Sequence, residues 1–259
     1  MPRLARLAIF GLVAVTAAAC TGSAAAILQE SVERGSVSEA QAALRRGANP
    51  NAFAKDGLPL IASAVKRGNF DVATELVAAG GNPNVSIDGA DAFFVVLTMG
   101  NKCSAALVKA MIKAGKSPSA VDAVNDSALD EALTFGSEAC VTQLIASGAD
   151  INGRNDLGET ALHAAVLGSN VGRVNEFLEA GLDVDAKVKG EITPLMLAAG
   201  RHGDGADDIV EALLARGANP CARDSKGRDA SAVALSSGLT SRAVQLKHSC
   251  ESWNKKNKS

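Results

Sequence analysis

A short phrase returns six times along the chain at a nearly constant interval, and no other feature restricts the possible fold as much. It reads Gly47-Ala48-Asn49-Pro50-Asn51, Gly80-Gly81-Asn82-Pro83-Asn84 and Gly115-Lys116-Ser117-Pro118-Ser119 in the first half. It continues as Gly148-Ala149-Asp150-Ile151-Asn152, Gly181-Leu182-Asp183-Val184-Asp185 and Gly217-Ala218-Asn219-Pro220-Cys221. Successive leading glycines lie 33, 35, 33, 33 and 36 residues apart. A period of this length marks stacked supersecondary units, none of which buries its apolar face alone. Each part of the phrase has a physical task. The glycine ends a helix in the left-handed conformation that a Cβ would penalise. The Asn or Asp two residues later bonds nearby backbone amides and holds a tight turn.

Two helix-length segments separate consecutive phrases. In the second of each pair, Leu, Val and Ile recur at helical spacing just before the glycine, as in Leu76-Val77, Leu144-Ile145 and Leu213-Leu214. The first opens on Thr160-Ala161-Leu162-His163-Ala164-Ala165 or Thr193-Pro194-Leu195-Met196-Leu197-Ala198-Ala199. Both resemble the Thr-Pro-Leu-His-x-Ala-Ala phrase of ankyrin repeats. Leu58-Pro59-Leu60-Ile61-Ala62 and Ser127-Ala128-Leu129-Asp130-Glu131-Ala132 are degenerate copies, and Ala92-Phe93-Phe94-Val95 in repeat three is the weakest. Pro is tolerated in a first helical turn, and Thr or Ser ahead of it caps orphan amides. Asp56-Gly57, Asp88-Gly89 and Asp156-Leu157-Gly158 supply hairpin turns upstream. Composition agrees: aromatics are only 3% with no Tyr, poor for a sandwich or barrel, while a core of Ala, Leu and Val suits close helices.

The resemblance implies an all-α ankyrin-repeat solenoid over residues 24–250. It has about seven helix-turn-helix units with short β-hairpin loops, and its first and last units are atypical caps. It further implies a protein partner on the concave and hairpin face. There the exposed hairpin positions Phe53, Lys55, Arg154, Lys187, Lys189 and Arg223 are the expected contacts. His163, in the fourth place of the Thr-Pro-Leu-His-like phrase, is expected to serve structure by bonding the Thr hydroxyl and neighbouring backbone.

The N-terminus is of another kind. Arg3 and Arg6 precede an uncharged apolar run at 7–15, too short to span a bilayer as a permanent helix, and small residues follow. Residues 1–19 therefore read as a secretory signal. Ala17-Ala18-Ala19-Cys20 resembles a bacterial lipobox, although Leu is usual where Ala17 stands; it implies a lipid anchor at Cys20, the mature N-terminus. Ordinary cleavage after Ala19, giving a soluble periplasmic protein, is the alternative. Thr21 favours the outer membrane by the same resemblance. Setting Cys20 aside leaves Cys103, Cys140, Cys221 and Cys250, and export exposes them to an oxidising compartment. Contact between adjacent repeats lets Cys103 meet Cys140, and a Cys221–Cys250 bridge would pin the C-terminal cap. Free buried thiols are the other reading.

Motifs of catalysis are missing. No H-E-x-x-H, G-x-S-x-G, P-loop or dinucleotide fingerprint occurs, and no cofactor or metal is implied. A formal net charge of −2 argues against nucleic acid. The loop Gly200-Arg201-His202-Gly203-Asp204-Gly205-Ala206-Asp207-Asp208 accounts for the longest spacing but lacks the calcium-loop pattern. Residues 251–259, with Lys255, Lys256 and Lys258, read as a disordered basic tail. The expected function is thus a non-catalytic protein-interaction module of the bacterial envelope, protecting or neutralising a periplasmic enzyme or toxin by analogy with the family. Two alternatives are a hydrolase or metal-dependent enzyme using His202, Asp204, Asp207 and Asp208, and a glycan-binding structural protein of the envelope.

Overall fold

The computed structural model describes residues 22–257; residues 1–19, read above as a signal, Cys20 and the last two residues lie outside the described residues. Seven helix pairs follow one another. They are α1 (Ala24–Arg34) with α2 (Val37–Arg45), α3 (Leu60–Lys66) with α4 (Phe70–Ala78), and α5 (Ala92–Leu97) with α6 (Ala105–Lys113). Next come α7 (Ala128–Thr134) with α8 (Glu138–Ala146) and α9 (Ala161–Leu167) with α10 (Val171–Glu179). The last are α11 (Pro194–Ala199) with α12 (Ala206–Ala215) and α13 (Ala230–Ser236) with α14 (Thr240–Lys256). First helices stack on first helices and second on second, giving two rows with the hairpins along one edge. One hairpin forms a short antiparallel pair, β1 (Ser86–Ile87) with β2 (Ala90–Asp91). Three others close on the single bridges Phe53–Pro59, Val121–Ser127 and Val188–Ile192.

The recurring phrase behaves as its chemistry requires. All six leading glycines adopt positive φ, between 84° and 109°. In every copy the third residue's side chain accepts the amide N–H of the fifth, at 2.8–3.2 Å. The fifth residue has a further task that single-repeat logic does not reveal. Asn51 Oδ1 accepts the Asn82 N–H at 2.7 Å, Ser119 Oγ that of Asp150 at 2.9 Å, and Asp185 Oδ1 that of Asn219 at 2.9 Å. The turn phrase therefore also stitches one repeat to the next.

Leucines of the first helices (Leu60, Leu129, Leu162, Leu195) and the apolar pairs of the second (Val108 with Met111, Val174 with Phe177) are buried in one continuous core. Each such side chain contributes roughly 1.5–3 kcal/mol of burial free energy. Between α7 and α9 the approach is closer than any side chain permits: a Cβ on Gly168 would lie 1.9 Å from the Leu133 carbonyl oxygen.

Repeat three keeps the architecture by substitution. Asp91 replaces the capping Thr and accepts the Phe93 N–H at 2.9 Å. Lys116, in the place of a small residue, is nearly buried, ion-paired with Asp91 and 6.0 Å from the Phe93 ring centre. A short 3₁₀ turn (Gly100–Lys102) leads to Cys103, which is disulfide-bonded to Cys140 of α8 with Cα atoms 6.3 Å apart. Cys221 is likewise joined to Cys250 in α14, with Cα atoms 5.0 Å apart.

The end of the chain departs from expectation. Residues 251–256, read as part of a disordered basic tail, continue α14 as helix. The Cys221–Cys250 bridge anchors the preceding turn, and Lys255 and Lys256 sit in the last turn, where positive charge suits the helix dipole. Among the described residues no helix is long and apolar enough to cross a membrane.

Candidate interaction surface

The edge formed by hairpins and first helices carries a concentration of exposed large apolar side chains. Phe53, Val121, Val124 and Leu157 on hairpins are 50–61% exposed, and Phe135, at the end of α7, is 50% exposed. Neighbouring hairpin tips are tied together: the Lys189 N–H donates to the Leu157 carbonyl at 2.7 Å and the Ser225 N–H to that of Gly190 at 2.8 Å. Arg154, Lys187, Lys189 and Arg223 thus lie on three successive, linked hairpins. Phe53 and Lys55 lie apart from them in repeat two.

Most of the expected basic contacts are exposed but already engaged. Arg154 donates to the Gly158 carbonyl at 2.9 Å, and Arg223 makes the equivalent bond to Gly227 at 2.5 Å, each bracing its own turn. Lys55 pairs with Glu33 at 3.1 Å and Lys187 with Glu191 at 2.5 Å. Lys189 is exposed.

Carboxylates dominate the hairpin and first helix of repeat four instead. Asp122, Asp126 and Glu131 have oxygens within 4.8 Å of one another. Asp126 and Glu131, with Asp130 and Glu159, line a recess beside Phe135, Ala164 and Leu167. Asp130 completes a capping box, accepting from the Ser127 hydroxyl at 2.7 Å while the Asp130 N–H donates back at 3.1 Å. Burial raises its pKa to about 6 against the Ser127 bonds, with Asp126 and Glu159 adding repulsion. Glu131 is raised in the same direction by burial and then by Asp126, Asp122 and Asp130. Its Oε2 is buried with no hydrogen-bond partner among the described residues. The sequence did hold a signal: Asp130 stands where His163 stands in the next repeat.

His163 plays the role expected of it. Its Nδ1 lies 2.9 Å from the Thr160 hydroxyl and accepts the Thr160 N–H at 3.3 Å, which places the proton on Nε2. Nε2 faces the backbone of Ala186 and Ile192 without a hydrogen bond of good geometry. Desolvation lowers the pKa to about 4, so the ring is neutral near pH 7.

Toward repeat seven the same edge becomes apolar and then basic. Leu167, Ile192, Met196, Leu197 and Val233 line a depression of about 230 Å³ that also reaches Arg201 and Arg228. Arg228 pairs with Asp224 at 2.8 Å. Arg201 donates to Ser169 Oγ at 3.1 Å, and its Nε is buried with no partner among the described residues.

The loop of repeat six does not assemble a reactive group. Asp207 is held at 2.6 Å by buried Arg242, which also donates to the carbonyls of Ala198, Ala199 and Arg201 and so closes the end of α11. His202, Asp204 and Asp208 are exposed. Among the described residues the acidic group compact enough for one ion is that of repeat four, not this loop. The alternative reading of 200–208 as a hydrolytic or metal centre is thus not favoured, and its Asp207 serves the helix end through Arg242.

Two rows of short helices, hairpins along one edge and a period near 33 residues coincide with an independent match. Residues 129–224 match the family model for ankyrin repeats in three copies. The chain contains ankyrin repeats. Its fold is similar to that of the human ASB11 ankyrin repeat domain, with a TM-score of 0.67 and 25% identity, covering 85% of this chain and 96% of that one. It is 33% identical over 156 residues to the nuclear factor NF-kappa-B p105 subunit of Gallus gallus, covering 58% of this chain and 15% of that protein. The B-cell lymphoma 3 protein homolog of Mus musculus is 33% identical over 138 residues, covering 51% of this chain and 30% of that protein. The chain thus spans less than a third of these relatives' lengths. Ankyrin repeats mark a protein–protein interaction module.

Proposed function

We propose that this ankyrin stack is a non-catalytic interaction scaffold of the bacterial cell envelope, which presents the hairpins and concave first-helix face to a protein partner. The observation that carries this reading is the concentration of exposed apolar side chains, Phe53, Val121, Val124, Phe135 and Leu157, on that one edge. Exposed apolar surface of this kind marks interaction sites, and a prebuilt stack binds with a smaller ordering cost than a flexible chain. Export rests on the signal-like segment 1–19 and the lipobox-like Cys20; two disulfides suit an oxidising compartment. Protection or neutralisation of a periplasmic enzyme or toxin is the biological form we favour.

Affinity purification of the full chain from an envelope fraction, with mass spectrometry of what is retained, tests the reading. A stoichiometric protein that is lost when Val124 and Leu157 are both replaced by Ser supports it. Retention undiminished by that replacement contradicts it. Mass analysis of the mature N-terminus tests the anchor, and an unmodified residue 20 removes it.

A further inference from the structure

Asparagine is among the chemically labile residues, and the turn phrase is rich in it. Its carboxamide is open to attack by the backbone nitrogen of the next residue, which closes a cyclic imide and expels ammonia. In this chain the asparagines of the turns are sheltered from that attack, with one exception. Asn49, Asn82 and Asn219 precede proline, whose nitrogen carries no hydrogen to give up. Asn51 precedes Ala52, whose N–H is held by the Asn49 carbonyl at 3.2 Å, and its own side chain is engaged by Asn82 and Gly80. Asn84 precedes the stiff, β-branched Val85. Outside the phrase, the N–H after Asn101 is bonded to the Met99 carbonyl and the one after Asn125 to the Asp122 carboxylate. Asn152 has none of these protections. It precedes Gly153 in the one Asn-Gly pair of the chain. Its N–H is held by Asp150 at 2.8 Å, but its exposed carboxamide makes no hydrogen bond among the described residues. The counterparts of Gly153 in four other copies, Ala52, Ala120, Ala186 and Ala222, donate their N–H to the carbonyl of the phrase's third residue at 3.1–3.2 Å. The Gly153 N–H makes no such bond. Glycine also lacks the Cβ that hinders ring closure in any other residue.

We propose that Asn152 is a site of intramolecular deamidation, at which the chain's own backbone turns a neutral side chain on the hairpin edge into a carboxylate. The Gly153 nitrogen attacks Cγ of Asn152. A C–N bond forms, the Cγ–Nδ2 bond breaks, and Nδ2 leaves as ammonia with the proton given up by the Gly153 amide. Water then opens the imide. Attack at Cγ restores the main chain and gives aspartate; attack at the main-chain carbonyl carbon routes the chain through the side chain and gives isoaspartate. Water is the only co-reactant, and nothing is oxidised or reduced. The consequence is local and electrostatic. Asn152 lines a recess with Asp183, and its N–H already meets Asp150, so the new carboxylate joins two others. Arg154 is the basic residue lining that recess, and it is engaged with the Gly158 carbonyl. Isoaspartate also adds a methylene to the main chain in the turn that leads from repeat four into repeat five. The reaction does not depend on the interaction-scaffold reading; it gives the hairpin edge a charge that grows more negative with the age of the molecule.

Incubation of the full, disulfide-intact chain at mildly alkaline pH in heavy-oxygen water, followed by peptide mapping with mass spectrometry, tests the proposal. The peptide holding Asn152 is expected to exchange NH for a single labelled oxygen as time passes and to become a substrate for an isoaspartate-specific methyltransferase. The peptides holding Asn51 and Asn84 are expected to stay unchanged in the same digest. Gly153→Ala should abolish the conversion over the same incubation. That variant keeps the fold, because Gly153 is not left-handed and the nearest atom to an added Cβ is the Asp150 carbonyl oxygen at 3.9 Å; an unchanged melting temperature verifies it. The comparison of Asn152 with Asn51 and Asn84 needs no variant, so it stands by itself. Three results would overturn the inference: Asn152 intact in the folded chain when a free peptide of the same sequence converts, conversion of Asn51 or Asn84 ahead of Asn152, or Gly153→Ala converting at the parent rate.

Discussion

Repeats four and five show what the same backbone does with different side chains. Both begin their first helix with a hydroxyl residue and close a capping box three residues later, yet Ser127 is answered by Asp130 and Thr160 by His163. The backbone requirement is identical and the electrostatic result is opposite. Burial makes His163 hard to protonate and Asp130 hard to ionise. In repeat five the box is neutral near pH 7; in repeat four it places a carboxylate beside Asp126 and Glu131 in the recess that Phe135 and Leu167 line. The position in the repeat thus sets the fold, while the residue chosen for it sets the charge of the surface.

The joints on either side of repeat four are built differently, and breaking them has the largest expected effects. To repeat three it is joined by the Cys103–Cys140 bond, which closes a loop of 37 residues. Replacing both cysteines by Ser should lower unfolding free energy by about 4 kcal/mol in urea titrations. To repeat five it is joined by backbone contact at Gly168. Gly168→Ala drives a methyl group against the Leu133 carbonyl, and we expect a loss of about 3 kcal/mol in the same assay. Gly47→Ala is a useful contrast, because nothing lies near its absent Cβ and only the positive φ is penalised. It should cost about 1 kcal/mol.

Acid titration separates the two capping boxes directly. His163 has a folded pKa of about 4 against an ordinary value of 6.5, so the unfolded chain binds the extra proton. Its contribution is complete above pH 6.5 and is lost as pH falls toward 4. Asp130 has a folded pKa of about 6 against 3.8, so the folded chain holds the extra proton, and its contribution grows as pH falls from 6 toward 3.8. The two nearly cancel in the parent protein. Asp130→Asn should expose an acid loss of up to about 3 kcal/mol between pH 6.5 and 4, and His163→Asn a gain of similar size. Parallel stability curves for the two variants would refute the opposed assignment. The caps themselves carry an effect as small as that of Gly47→Ala: Ser127→Ala should cost about 1 kcal/mol in thermal melts at neutral pH.

What could be read without coordinates follows the same division. The Gly-x-Asn/Asp phrase, the Thr-x-Leu-His opening and their spacing depend on local backbone chemistry, so seven helix pairs and their order were legible. Repeat three was legible only as a weak copy, because Asp91 and Lys116 restore by an ion pair what other repeats achieve with small residues. The site was less legible. Arg154 and Arg223 are exposed as their hairpin positions suggest, but their bonds to Gly158 and Gly227 are turn geometry that composition does not display. The acids of repeat four are spread over ten residues and read individually as turn and helix-start residues. Their convergence with Glu159 of the next hairpin is tertiary. The helical end of the chain was missed because residues 251–256 carry little apolar periodicity; the Cys221–Cys250 bond supplies the order.

The central claim is that binding belongs to the first-helix and hairpin edge, centred on repeats four to six. Hydrogen–deuterium exchange of the full chain, with and without a protein captured by it in affinity purification, tests it most directly. The account predicts protection on binding in α7, α9, α11 and the hairpins before them, with the second-helix row from α4 to α12 unchanged. Protection confined to that second row, with the hairpins still exchanging freely, would contradict it.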